Sequence, residues 1–329
     1  MAGVSKGAVS IALNGRAGVA DATRARISDA AHTLSWRPSV HARALLASRS
    51  FAFGLVISRP PGLLAADPFF PAFIAGVESV LAPRGLALVL QVVDENLDTE
   101  AASYRRLAQE GRVDGVLLTD LRIHDPRFAW LTDLDLPAVA VGRPANACPF
   151  PWLDTDDREG VRQSVRHLIA LGHRRIGYVG GASGYVHSAA RRSAWQEEMR
   201  ANGLEPRLFV DGDFTAEGGA RATRRLLVQV PRPTAIVYAN DLMAIAGMSA
   251  ATDVGLTLPG QLSVVGFDDI PLAAHVRPAL TTVRQDAVDL GRSATRSLVA
   301  LVDGEPLPVA TVNPASFIER SSTTSAPGE

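Results

Sequence analysis

Short apolar runs alternate with amphipathic stretches from about residue 51 to residue 302, and this alternation restricts the possible folds more than any other feature. Phe53-Gly-Leu-Val-Ile57, Ala87–Val93, Gly115–Leu118 and Ala138–Val141 read as strands. Between and around them, 73–81, 99–110 and 126–131 read as helices. Pro149-Phe150-Pro151 interrupts the pattern, which then restarts. Strands at 176–179, 208–210, 235–238 and 263–266 alternate with helices over 160–171, 188–202, 216–228 and 243–254, and a last helix covers 288–302. Strand–helix–strand order implies parallel βαβ units. Strands without polar alternation are covered on both faces. The expected fold class is therefore α/β, with two doubly wound parallel-sheet lobes in succession. In such open sheets a ligand sits beyond the carboxyl ends of the strands. That singles out Arg143, Asn240-Asp241 and Asp268-Asp269.

The first fifty residues read differently, as short helices. Ser5 is placed to cap a helix from Lys6 to about Leu13, ended by Asn14-Gly15. Asp21 is placed to cap a second helix, 22–34, and Ser39 a third, Val40–Ala47, after the break at Trp36-Arg37-Pro38. Net charge is only −1, but residues 1–50 hold seven basic side chains (Lys6, Arg16, Arg24, Arg26, Arg37, Arg43, Arg49) against two acidic ones (Asp21, Asp29). The head is thus +5 and the remainder −6. A basic head on a mildly acidic body suits contact with phosphates at one end; a solvated basic face is the alternative.

Other classes find less support. No apolar run is long enough to cross a bilayer, and Met1–Lys6 opens no secretory signal. The single cysteine, Cys148, excludes an intramolecular disulfide framework and a Cys-rich zinc site, so a cytoplasmic protein without metal or cofactor is expected. No nucleophile elbow, P-loop, Gly-x-Gly-x-x-Gly or His-Glu-x-x-His occurs, which argues against an enzyme. His173 reads as a structural turn residue.

Several stretches, in order, resemble the lactose-repressor (LacI) family of transcription factors. Gly3-Val-Ser-Lys-Gly-Ala-Val-Ser-Ile-Ala-Leu-Asn-Gly15 is similar to its turn and recognition helix, Thr23-Arg24-Ala-Arg26-Ile27 to its third headpiece helix, and Trp36-Arg-Pro38 with Ala42-Arg43-Ala44-Leu45 to its hinge helix. Leu168-Ile-Ala-Leu-Gly-His-Arg-Arg-Ile-Gly-Tyr-Val-Gly180, Ala239-Asn-Asp-Leu-Met-Ala244, Ser263-Val-Val-Gly-Phe-Asp-Asp269 and Pro278-Ala-Leu-Thr-Thr-Val-Arg-Gln285 continue the match.

The resemblance implies a homodimeric regulator, a repressor in most relatives, that binds operator DNA and a small effector, commonly a sugar. A recognition helix offers side chains near its N-terminus to base edges in the major groove. Ser5, Lys6, Gly7, Ala8 and Ser10 hold those positions, with Asn14 at the helix end. Arg24 would reach phosphate, and Leu45 matches the leucine that wedges into a minor-groove step. For the effector, Asp67-Pro-Phe-Phe70 supplies aromatics, of which one of Phe69 and Phe70 is expected against the ligand and the other in the core. Arg191 would donate a two-pronged hydrogen bond to hydroxyls or a carboxylate. Asn240 and Asp268 would hold paired hydroxyls, with Arg143, Phe214 and Gln285 contributing. Asp241 reads as a helix cap, and Asp156 as either a cap or a crossover contact.

The expected division is a partial helix-turn-helix headpiece over 1–37, a hinge and linker over 38–50, and a two-lobed domain over 51–329. Lobe 1 takes 51–150 and 282–311, and lobe 2 takes 151–281 and 312–324. Two departures from the family stand out. The chain begins inside the turn, where relatives carry another helix upstream, so the headpiece is expected to be truncated, by a start assigned too late or in fact. Ile11 stands where the family often has arginine, and Gly7 costs about 1 kcal/mol of helix propensity. A solute-binding protein, or a regulator whose headpiece no longer reads DNA, is the competing reading.

Overall fold

The computed structural model describes residues 3–13, 18–34, 49–308 and 312–328. The chain divides into two compact units, Met1–Ser50 and Phe51–Glu329.

The first unit contains helices α1 (Lys6–Leu13) and α2 (Asp21–Thr33). The Ser5 hydroxyl accepts the Ala8 N–H at 3.2 Å, the capping bond expected of it. Asp21 is not a cap: Ala20 precedes the helix, no side chain caps it, and Asp21 lies in its first turn, where its charge suits the helix dipole. Among the described residues of this unit, Ala12 and Ile27 are the buried apolar side chains. The third helix expected at 40–47 lies outside the described residues.

The second unit holds a five-stranded and a four-stranded parallel sheet. The first is built from β1 (Ala52–Ser58), β2 (Ala87–Val93), β3 (Gly115–Leu118), β4 (Ala138–Val141) and β5 (Trp152–Leu153), in the order β2-β1-β3-β4-β5. Side-chain alternation sends Phe53, Leu55, Ile57, Leu117 and Val139 into one core and Val56, Val116, Leu118 and Ala138 into another on the opposite face. Both faces are covered, as the unbroken apolar runs require. Helix α4 (Phe69–Leu81) covers the first of these cores, beside the long α11 (Ala287–Asp303). A short α3 (Pro61–Ala66), α5 (Leu97–Gln109) and α6 (Arg127–Asp133) complete this lobe. Helix α4 begins four residues before the apolar period suggested.

The second sheet runs β7 (Phe209–Asp211), β6 (Ile176–Gly180), β8 (Ala235–Tyr238), β9 (Ser263–Val265). Around it lie α7 (Asp157–Ala170), α8 (Val186–Ala201), α9 (Ala216–Leu227) and α10 (Asp241–Asp253). Two strands have no period to betray them: β10 (Thr282–Arg284) and β11 (Ser316–Ile318), which pair antiparallel. Val283 and Ala315 are buried in the second lobe's core. The pairings put the first crossover after Leu153, since β5 hydrogen-bonds to β4, and leave residues 282–284 packed with the second lobe. His173 is structural: its ring meets Thr234 at 2.9 Å, Ser263 at 3.1 Å and the Thr324 carbonyl at 3.0 Å, fastening the C-terminal tail.

Candidate functional site

Nearly every strand of the second unit releases a polar or aromatic residue into one cavity of about 370 Å³, within the range of small-molecule sites. Arg59 follows β1, Thr119 and Asp120 follow β3, Arg143 follows β4, and Asp154 and Asp157 follow β5. From the second lobe come His187 and Arg191 on the first turns of α8, Phe214 after β7, Asn240 after β8, Asp268 after β9 and Gln285 after β10. Loops leaving the carboxyl ends of parallel strands converge, so residues far apart in sequence meet here.

Of the ligand residues expected from sequence, Phe69, Arg143, Arg191, Phe214, Asn240, Asp268 and Gln285 line the cavity. Phe70 does not. It is buried in the first lobe's core, with its ring 5.1 Å from the Arg59 guanidinium and edge-on to Phe69. A helix starting at Phe69 points consecutive residues about 100° apart, so only one of the pair can face the cavity.

Arg191 is held on three sides. Its Nε and Nη2 donate to Asp157 at 2.9 and 2.7 Å, and its Nη1 to the Ala239 carbonyl at 2.8 Å. The guanidinium lies 3.6 Å from the centre of the Phe267 ring. The edge that sequence assigned to a ligand is thus occupied by Asp157, whose carboxyl is held low by Arg191 against the effect of its own burial. Asn240, not Asp241, caps α10: its Oδ1 accepts the Met243 N–H at 2.9 Å while its Nδ2 donates to the Phe214 carbonyl at 3.1 Å. Asp241 is buried behind it, accepting from the Thr282 hydroxyl and the Ile270 N–H, and burial pushes its carboxyl up to about 7. Asp268 has a left-handed φ of 112° and accepts from the Gln285 amide at 2.6 Å. Burial raises its carboxyl well above the ordinary range, although Arg191 opposes this. Asp156 carries no capping bond and has a φ of 51°.

Beyond Phe69 and Arg143, the first lobe contributes residues that the sequence did not single out. Arg59 Nε and Nη2 donate to Asp120 at 2.7 and 2.8 Å, and Nη1 to Asp67 at 2.7 Å. Burial works against its charge, but the two carboxylates outweigh burial and hold it firmly protonated. Asp120 sits on a loop braced by Arg127, which donates to Asp125 and to the Thr119 and Asp120 carbonyls. His187 stacks on Tyr185, with ring centroids 5.5 Å apart, and meets the tilted Phe214 ring at 5.4 Å. Burial and then Arg191 depress its imidazole to about 4. The only sequence signal for these residues was their position just after a strand or at a helix start.

The two lobes also touch through backbone. The Ile123 N–H donates to the Gly184 carbonyl at 3.0 Å and the Val186 N–H to the Leu121 carbonyl at 2.8 Å, a two-bond antiparallel bridge beside His187. Among the described residues no cluster of His, Cys, Asp and Glu could hold a metal ion.

In the first unit, Ser5 and Gly7 are exposed and Ala8 is half-buried at the start of α1. Arg24 Nη1 donates to the Ala12 carbonyl at 3.0 Å, so this expected phosphate contact also ties α2 to the end of α1. Asn14 and Leu45, and the side chains of Lys6 and Ser10, lie outside the described residues.

Residues 165–323 match the periplasmic binding protein-like domain family. The chain is 34% identical to the HTH-type transcriptional regulator CelR of Thermobifida fusca, over 93% of this chain and 90% of that one. It is 31% identical to the HTH-type transcriptional regulator GalR of Escherichia coli, over 94% and 89%. Among solved structures, a lac repressor dimer bound to operator and an anti-inducer superposes with a TM-score of 0.86 at 28% identity, covering 98% of this chain and 96% of that one. A complex of the transcriptional regulator CelR with cellobiose gives 0.75 at 33% identity, covering 98% and 97%.

Proposed function

This chain belongs to the lactose-repressor (LacI) family of transcriptional regulators, and from that premise we propose that it is a repressor whose grip on operator DNA is set by a sugar held between its two lobes. Its relatives are named as transcriptional regulators, and one was solved with a sugar, another on its operator. The observation that carries the effector half is the cavity itself. Phe69 and Phe214 offer apolar rings to the C–H face of a sugar. Arg191, Asp268 and Gln285 offer fixed donors and acceptors to its hydroxyls. Phe69, Arg143, Arg191, Phe214, Asn240, Asp268 and Gln285 are the residues we assign to it.

For DNA, Ser5, Lys6, Gly7, Ala8 and Ser10 lie on or beside the first turns of α1, the part of a recognition helix that meets base edges. Asn14, Arg24 and Leu45 complete the assignment from the family resemblance. Two-fold symmetry of a homodimer implies two operator half-sites. Work on operator DNA implies a cytoplasmic protein, and no described helix is long and apolar enough to cross a membrane.

Fluorescence anisotropy of the promoter region upstream of its gene tests the reading. Site-selective binding that falls steeply with salt and changes when a saccharide panel is added is expected. Equal affinity for unrelated DNA at every salt concentration would overturn the DNA half.

A further inference from the structure

We propose that Glu100 is a positioning residue for effector binding: acting through Arg122 and Arg127, it holds the stretch 119–126, which carries one wall of the cavity and the bridge between the lobes. The consequence for binding rests on the sugar reading above; the geometry does not.

Residues 119–126 connect β3 to α6. Thr119 and Asp120 line the cavity, and Asp120 holds Arg59. Leu121 and Ile123 share backbone hydrogen bonds with Val186 and Gly184 of the second lobe, and between them Arg122 is paired with Tyr185. The path of this stretch is not one the chain adopts unaided. Asp120 and His124 have left-handed backbones, with φ of 51° and 56°, although neither is glycine. Such conformations persist only where the surroundings over-determine them.

The surroundings that do so lie behind the cavity. Arg127 is buried and donates to the Thr119 and Asp120 carbonyls, each at 2.9 Å, and to Asp125. Asp125 in turn accepts the Arg122 N–H at 2.9 Å and the Arg127 N–H at 3.1 Å. These bonds close the stretch on itself and on the start of α6. Leu121 ties it to the first lobe's core by apolar contact, and Glu100 ties it by charge. Glu100 lies in the first turn of α5 with its carboxylate wholly buried. One oxygen accepts from Arg122 Nη1 at 2.7 Å; the other is 3.6 Å from Arg127 Nη1 and has no hydrogen-bond partner. Arg122 therefore has its backbone in the bridge and its side chain anchored on α5. Two arginines are balanced by two buried carboxylates, one from the stretch and one from α5. Neutralising Glu100 leaves Arg122, whose side chain is 20% exposed, without its carboxylate. The guanidinium regains water by swinging outward, and the bridge backbone moves with it.

A carboxylate that merely stabilised the lobe would leave the bridge unmoved, and amide exchange of the full chain without effector, read by mass spectrometry, separates the two roles. In Glu100→Gln, which keeps the shape of the side chain, segments 119–126 and 184–188 should exchange about tenfold faster than in the wild type, while the strands of both lobes keep their rates. Arg122→Met should do the same. The double variant leaves neither charge of the pair unmatched, so its thermal midpoint should recover most of what either single variant loses, yet its bridge should still exchange fast. Wild-type exchange of the bridge in a folded Glu100→Gln chain overturns the proposal. So does a double variant whose bridge recovers along with its thermal midpoint, since the pair would then only stabilise. Calorimetry with glucose, galactose, maltose and cellobiose reads the consequence: any of these that the wild type binds should bind Glu100→Gln about tenfold more weakly, and equal affinity would overturn the positioning role. Binding of none of them by the wild type counts against the sugar reading alone, and the exchange rates still decide the role of Glu100.

Discussion

Arg191 spends three of its N–H bonds inside the protein and stacks on Phe267, so it is both a cavity wall and a brace joining the crossover to the second lobe. A lysine is a point donor and cannot span Asp157 and the Ala239 carbonyl together. Arg191→Lys is therefore expected to weaken effector binding about tenfold or more and to lower stability by about 1–3 kcal/mol. Calorimetry and urea unfolding check the two effects, and wild-type values in both would remove Arg191 from the site. Asp241 carries a different prediction. Its carboxyl, raised by burial to about 7, keeps a proton that the unfolded chain releases near 3.8. The folded state thus binds more protons across that window. The stability this contributes is complete below the unfolded value and is lost as pH rises through 7. Asp241→Asn should flatten the fall in urea midpoint between pH 4 and pH 7. A fall as steep as that of the wild type would assign it to other groups.

Between elements, contact geometry decides the outcome. Helices α4 and α11 approach so closely that a Cβ on Gly76 would lie 2.0 Å from the Val288 carbonyl oxygen, and one on Gly291 would lie 2.2 Å from that of Phe73. Backbone cannot give as a side chain can, so Gly291→Ala should cost about 1–3 kcal/mol, read as a lower thermal midpoint. An unchanged midpoint would mean that the two helices can separate freely. The bridge between lobes allows a cleaner test. Val186 is the first residue of α8, and Tyr185 before it is extended, with φ −85° and ψ 137°. Proline is tolerated at that position and favours an extended predecessor. Val186→Pro therefore deletes the bond to the Leu121 carbonyl while keeping an apolar side chain where Val186 lines the cavity and packs against the first lobe's core. One hydrogen bond of about 1 kcal/mol predicts roughly fivefold weaker effector binding with near-normal stability. Small-angle scattering should show a more open second unit. Wild-type affinity in a folded Val186→Pro chain would show that the bridge does not help hold the lobes together.

At the scale of the whole molecule, a cavity walled by both lobes links ligand to lobe angle, and family membership links the regulator to its operator. Linkage then requires reciprocity: whatever factor the effector applies to operator affinity, operator must apply to effector affinity. Calorimetric titration of effector with and without saturating operator DNA measures one side, and anisotropy with and without effector measures the other. Unequal factors would mean that the two sites do not report one equilibrium.

Much of this was legible in the chain. The apolar runs at 115–118, 138–141 and 235–238 are strands with those bounds because unbroken apolar stretches that short have no other stable burial. Most of the second lobe's cavity residues could be named, because each follows a strand and the family motifs mark them. Phe70 shows the limit: sequence says that one of two adjacent phenylalanines faces the ligand, and only the starting angle of α4 says which. Asp156 and Asp157 show it again. Both are acidic residues at a helix start, and packing alone sends Asp157 to Arg191. Strands 282–284 and 316–318 have no period of their own and exist because each completes the other. The charge state of the cavity is the largest such gap. Arg59, Asp67 and Asp120 are 61 residues apart at most, and nothing local relates them. Local pattern determined the elements and their order. Which charges pair in the cavity depends on distances of a few ångströms that only the tertiary fold sets.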